Sequence, residues 1–215
     1  MPRVCAWSGW PARAVLVLAA LSLVGPPARP AESSEYVQGL GYVQGSESAP
    51  VTIQVFSSLT CPSCAKLHLE TLRPLTESYV AEGRVRIVHR FVPSRQDPLG
   101  LLATRCVHAA RRLDRFDDVT AAPFSTQNMW MLNGNLGPVL ADVLAPEELK
   151  RVGDLVESGE LEGEVQGEIE AARQAQVRAT PTMFVQRGET TTPIVGAVSY
   201  GILSRYLEKL LKGSR

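Results

Sequence analysis

The sequence predicts an α/β fold in which a β-α-β half and a β-β-α half complete one sheet around a helical insertion. Three patterns carry that prediction. Two β-branched apolar runs, Val51–Phe56 and Val85–Val92, flank a helical stretch. Residues 97–177 then show helical patterning alone. Two further strand-like runs and an amphipathic helix close the chain.

The chain starts differently from the rest. Arg3 and Arg13 precede an apolar run, Ala14–Val24, broken only by Ser22, and Pro26, Pro27 and Pro30 follow among small residues. A charged start, a short apolar stretch and a small-residue exit form the layout of a secretory signal over residues 1–31. The run is about half the ~20 residues that a membrane span needs. Cleavage near Ala28 or Ala31 is open, and an uncleaved N-terminal anchor is the alternative. The expected location is therefore extracytoplasmic or periplasmic.

Residues 32–48 are polar, and Tyr36-Val-Gln-Gly recurs at Tyr42. This stretch is read as an arm leading into a domain over 49–213. The run Val51–Phe56 reads as a buried strand. From Cys61 a helix extends to about Glu82, with Leu67, Leu72, Leu75 and Tyr79 at helical spacing. Pro74 should kink it and Gly83 should end it. Val85–Val92 is the second strand, closed by Pro93. Within the insertion, Leu99–Leu113 reads as one helix. Residues 114–143, punctuated by Pro123, Gly134, Gly137 and Pro138, read as short helices. Glu147–Val177 reads as two helices divided near Gly159 and Gly163, its acidic start and basic end suiting the helix dipole. The strands Thr182–Gln186 and Pro193–Val198 follow, with a turn at Arg187-Gly188. Tyr200–Lys212 carries Leu203, Tyr206, Leu207, Leu210 and Leu211 on one stripe. This order, with its insertion, is the thioredoxin-like layout.

Composition excludes some classes. Hydrophobic residues make up 45% of the 215, charged residues 20%, and Lys+Arg equals Asp+Glu at 22 each. A nucleic-acid partner is not expected without a basic excess. Of four cysteines, Cys5 lies in the signal, Cys61 and Cys64 form one C-x-x-C, and Cys106 stands alone. A stapled small fold would spread more cysteines along the chain.

The sequence Cys61-Pro62-Ser63-Cys64 falls at a strand-to-helix junction, and that placement carries chemistry. The thiolate is the form that attacks a disulfide. A helix N-terminus offers unsatisfied N–H groups and partial positive charge, and such sites can lower a cysteine pKa from about 8.5 to roughly 3.5–7.5. Two intervening residues bring both sulfurs onto one helical turn, able to form a redox-active disulfide. Pro62 loses no helical hydrogen bond there. Cys61 at the open end should attack, and Cys64, one turn in, should resolve. Zinc would need a second Cys/His pair at ligand spacing, which His68, His89, His108 and Cys106 do not form, so no metal and no cofactor is expected. Thr180-Pro181-Thr182 opens the third strand, where an edge proline is tolerated.

With a C-P-x-C at the start of the first helix, a long helical insertion and then T-P-T-x-F-V, the chain resembles the DsbA-like thioredoxin family over roughly residues 45–213. The resemblance implies a nucleophilic Cys61, a resolving Cys64, and a cis-proline at Pro181 whose neighbour Thr180 pairs with substrate backbone. Pro62 and Ser63 would join them in the active-site surface. It also implies exported proteins with cysteines as substrates, and it leaves room for a membrane redox partner that recycles the pair. There are departures. The family often has Glu six residues before the nucleophile, where Val55 stands, and an acidic residue three before it, where Ser58 stands. The dipeptide Pro-Ser lacks the His of the strong oxidants, which implies a less oxidising disulfide.

Other residues read as packing. Cys106 reads as a buried inert thiol. His68, one turn after Cys64 on the same face, reads as packed or capping, with tuning of that thiol as the sharper alternative. Met129, Trp130 and Met131 fill the insertion core or line a substrate groove. The functional expectation is an exported thiol–disulfide oxidoreductase, with redox direction open. The alternative is a peptide-binding, chaperone-like module that has no need of its thiols.

Overall fold

The computed structural model describes residues 36–37, 41–94 and 96–213. The export signal expected over residues 1–31 lies outside them. Among the described residues no helix is long and apolar enough to cross a membrane.

One six-stranded sheet forms the centre: β1 (Tyr36–Val37), β2 (Gly41–Gln44), β3 (Val51–Ser57), β4 (Val85–Phe91), β5 (Thr182–Arg187) and β6 (Thr190–Val195). Their spatial order is β1-β2-β4-β3-β5-β6. Strands β3 and β4 run parallel and all other neighbours antiparallel. Val51, Ile53 and Val55 alternate along β3 onto one buried face.

Four segments differ from the sequence reading. The polar arm holds strands: Tyr36 pairs with Tyr42, and β2 adds to the edge of β4 through Tyr42 to His89. Its Gly/Ser content masked a strand whose Tyr42 and Val43 are buried. The active-site helix runs on through Pro74, as α1 (Pro62–Leu67), a π-helical turn His68–Leu72, α2 (Arg73–Leu75) and a second π-helical turn Thr76–Val80. The shift to i→i−5 bonding on either side accommodates a residue with no N–H. Gly83, at φ +68°, closes the end. Third, β6 starts three residues early. The two-residue loop Gly188-Glu189 pairs Arg187 with Thr190, and Gly196, at φ +89°, ends the strand. Finally, Pro123 lies inside a helix and Gly163 divides nothing; the division falls at Gly159, at φ +77°.

The insertion comprises α3 (Pro98–Arg111), α4 (Phe116–Ser125), α5 (Gln127–Asn133), α6 (Gly137–Ala141), α7 (Pro146–Ser158) and α8 (Glu162–Gln174). The closing helix, α9 (Tyr200–Lys212), packs Leu203 and Leu207 against the β3 face. The core is two clusters. One lies between the sheet and α9, with Val51, Ile53, Val55, Leu67, Leu72 and Met183. The other is built by the insertion and includes Cys64, Leu59, Phe91, Phe124 and Trp130. A buried ion pair, Arg90 Nη1 to Glu168 Oε2 at 3.2 Å, ties β4 to α8.

Candidate active site

Strand β3 delivers the chain to a short loop, 58–60, and Cys61 then caps α1 with extended backbone (φ −92°, ψ 117°). Pro62 begins the helix. The backbone N–H groups of Cys64 and Ala65 both bond to the Cys61 carbonyl, at 3.0 and 3.1 Å. Cys61 is half-buried and Pro62 and Ser63 are exposed, while Cys64 is fully buried one turn in. Both sulfurs are free thiols. Burial pushes the Cys64 thiol up to about 12, with the neighbouring Cys61 adding to the shift and the Ser58 N–H, 3.4 Å from the sulfur, opposing it. A hydrogen bond from an amide favours thiolate, but desolvation outweighs it.

The Thr180–Pro181 bond is cis. Thr182 Oγ1 donates to the Ala179 carbonyl at 2.7 Å, and Gly196 N–H donates to the Pro181 carbonyl at 2.8 Å, fixing the entry to β5 from both sides. Cys61 Sγ donates to the Thr180 carbonyl at 3.4 Å. The C-x-x-C and the T-P-T segment, 119 residues apart, thus meet at one point. Pro181 is buried, and half-exposed Thr180 presents its backbone beside the outer sulfur.

Sequence reasoning missed the residues that hold the loop. Asp97 caps α3 by accepting from Gly100 N–H at 2.9 Å, and its second oxygen accepts from Thr60 Oγ1. A Cβ on Gly100 would stand 2.5 Å from that carboxylate, so glycine permits the approach. Asp97-Pro98 was a legible helix start. Gln127, buried on α5, donates to the Leu59 carbonyl at 2.7 Å, two residues before the nucleophile, and no local pattern announced it. Val55 is wholly buried between His89 of β4 and Met183 of β5 in register. His68 is buried with Nε2 3.0 Å from Ser57 Oγ. Cys106 is buried in α3, and its thiol is also pushed to about 12 by burial. Trp130 fills the insertion core and donates Nε1–H to the Pro123 carbonyl, whereas Met129 (65% exposed) and Leu132 (90%) face outward on the helix that carries Gln127. Val195 (71%), opposite Thr182 on β6, is a third exposed apolar side chain near Pro181.

The chain is similar to several known proteins in sequence and fold. The thioredoxin family model matches residues 38–199. Disulfide bond formation protein D of Bacillus subtilis is 25% identical over 179 residues, 80% of this chain and 77% of that protein. A Rickettsia bellii relative, provisionally named a protein-disulfide oxidoreductase, is 24% identical over 115 residues, 51% of this chain. The chain covers 43% of that relative's length. Among solved structures, a variant of Wolbachia pipientis alpha-DsbA1 with two cysteines replaced by alanine superposes with TM-score 0.68 at 19% identity, covering 79% of this chain and 90% of that one. Oxidised BdbD from Bacillus subtilis superposes with TM-score 0.67 at 21% identity, covering 84% and 97%. At these identities the superpositions establish the fold.

Proposed function

The chain belongs to the thioredoxin family, and from that premise we propose that it is a thiol–disulfide oxidoreductase acting on exported proteins with cysteines. One observation carries the reading. Cys61 stands half-exposed at a helix N-terminus against the Thr180 carbonyl, with a second thiol buried one turn behind it. That is what two-step exchange needs: an outer sulfur to form the mixed disulfide and an inner one to displace it. Pro62, Ser63 and Thr180, backed by the buried Pro181, form the surface a substrate meets. A backbone carbonyl beside the attacking sulfur suits an extended peptide laid along the β5 entry. Val195, exposed opposite Thr182 on β6, supplies apolar contact beside it. Oxidation, reduction and isomerisation use the same two sulfurs, and a membrane partner that recycles the pair would set the direction. The arginine-flanked apolar run at the start of the chain supports export.

The test is Cys64→Ser. Without the resolving sulfur, Cys61 should accumulate mixed disulfides with exported proteins under oxidising conditions, visible as reducible adducts on gels. A folded variant that traps none refutes exchange. A double Cys61→Ser, Cys64→Ser variant that keeps its full effect on unfolded client proteins would instead favour the peptide-binding reading.

A further inference from the structure

The resolving step turns on Cys64, whose thiol is held at about 12 by burial. Its sulfur attacks as thiolate, and a buried thiolate needs hydrogen-bond donors in place of water. The Ser58 N–H, 3.4 Å from the sulfur, is such a donor. A chain of hydrogen bonds that starts on the insertion holds that N–H in place.

Asp97 caps α3, its Oδ1 accepting from Gly100 N–H at 2.9 Å. Its Oδ2 accepts from Thr60 Oγ1. A carboxylate only accepts, so the single hydroxyl proton of Thr60 is committed to Asp97. The Ser58 hydroxyl, 3.0 Å from Thr60 Oγ1, is therefore the donor of that pair. Ser58 Oγ accepts in turn from Thr60 N–H at 3.4 Å, and the Ser58 carbonyl accepts from Cys61 N–H at 3.2 Å. The carboxylate thus sets the direction of the hydroxyl bonds in the loop. With the hydroxyl and carbonyl of Ser58 engaged, its N–H is the group presented to Cys64. A Cβ on residue 100 would stand 2.5 Å from Asp97 Oδ2 and 3.3 Å from Thr60 Oγ1, so glycine there keeps the junction open.

We propose that Asp97 is a positioning residue for resolution: acting through Thr60 and Ser58, it keeps a backbone N–H on the Cys64 sulfur as negative charge develops there. The proposal rests on the exchange reading above and adds to it a residue of the insertion. In this step the Cys64 sulfur bonds to Cys61 Sγ, and the bond from Cys61 to the substrate sulfur breaks. The substrate sulfur leaves as thiolate and takes up one proton, balancing the one that Cys64 gives up to solvent. Over the whole exchange the cysteine pair loses two electrons and the substrate sulfurs gain two. A hydrogen bond to a charged group is stronger than one to a neutral group, so the amide favours the attacking thiolate over the resting thiol. The first step uses Cys61 Sγ, whose contact is with the Thr180 carbonyl on another segment.

Asp97→Asn separates this role from helix capping. Asparagine caps a helix as well as aspartate does. Its Nδ2 in place of Oδ2 would meet Thr60 Oγ1 as a donor, so the hydroxyl chain reverses or parts.

The test is single-turnover reaction of the full-length reduced protein with a disulfide-linked reporter peptide, quenched in acid and resolved by mass, for wild type, Asp97→Asn, Thr60→Val and Thr60→Ser. Adduct formation at Cys61 should stay within about twofold of wild type, while resolution slows about tenfold in Asp97→Asn and Thr60→Val, toward the low end for one hydrogen bond to a charged group. Thr60→Ser keeps the hydroxyl and should resolve at the wild-type rate. The urea midpoint of Asp97→Asn should match wild type, and the Ser58 amide, followed by NMR, should exchange faster in both slow variants. Wild-type resolution in Asp97→Asn or Thr60→Val overturns the proposal. So does equal slowing of adduct formation and resolution, or a Thr60→Ser as slow as Thr60→Val. Absence of any adduct in wild type overturns the exchange reading itself, a separately visible failure.

Discussion

Replacing Glu168 with alanine should destabilise the fold by about 3–5 kcal/mol, because it removes the buried carboxylate that balances the Arg90 charge. Both side chains are 4% exposed, and the 3.2 Å contact joins the central sheet to the last helix of the insertion. Burial pushes the Glu168 carboxyl above its ordinary value while Arg90 pulls it back, so the carboxylate is held by its partner. The guanidinium also lies 5.9 Å over the Phe56 ring, within the sheet, and cannot reach bulk water without disturbing that packing. For a domain this size the loss corresponds to about 6–20 °C in Tm. Urea unfolding of the reduced protein at pH 7, followed by circular dichroism, measures it. The double variant Arg90→Met, Glu168→Leu should recover most of the loss, since apolar replacement of a buried pair is often neutral. A Glu168→Ala loss below about 1 kcal/mol, the size of an exposed pair, refutes the reasoning. A double variant as unstable as the single does so too.

Three further outcomes are expected. Iodoacetamide should label Cys61 of the folded, reduced protein before Cys64 and Cys106, which are buried with thiols near 12; peptide mapping that finds Cys64 modified first would reverse the assigned roles. Glu164 is partly desolvated, but His108 and Arg112 bond to it and Arg111 adds its charge, so its carboxyl is held down at about 2. A depressed carboxylate stabilises the fold above its unfolded pKa, so about 1–2 kcal/mol, after allowance for screening, should be lost as pH falls from about 4.5 to 2. Glu164→Gln should flatten that part of the pH–stability curve, and an unchanged curve would show that the network contributes nothing. Gln127→Ala leaves the Leu59 carbonyl without its donor, at a cost of about 1–3 kcal/mol. It should also raise hydrogen exchange across residues 58–61; protection equal to wild type there would mean that α5 does not hold the loop.

Periodicity made the fold legible where burial is one-sided. The alternation of β3 and the stripe of α9 translate directly into the cluster beneath the sheet. It failed where tertiary context overrode local signals. The Tyr-Val-Gln-Gly repeat looked like a linker because two- and four-residue strands are too short to show a period, and β4 supplied the pairing. Pro74 and Pro123 signalled breaks, yet packing on both sides kept those helices running. At the site, Cys61, Cys64 and Pro181 were visible because their chemistry is written in short motifs. Asp97 and Gln127 act through contacts with residues 37 and 68 positions away, which no local pattern encodes.

The same two-cluster core sets the surroundings of Cys64 and of Val55, the residue six positions before the nucleophile. Val55 belongs to the cluster beneath the sheet, with Leu67, Leu72 and Met183, and a carboxylate there would be desolvated on every side. Cys64 belongs to the insertion's cluster, with Leu59, Phe91 and Phe124. His68 packs 4.5 Å from Phe124, a member of the insertion's cluster, and its Nε2 lies 3.0 Å from Ser57 Oγ of β3. The insertion therefore does more than enlarge the fold. By burying Cys64 among Leu59, Phe91 and Phe124, it holds the inner thiol up at about 12 and leaves Cys61 as the sulfur open to a partner.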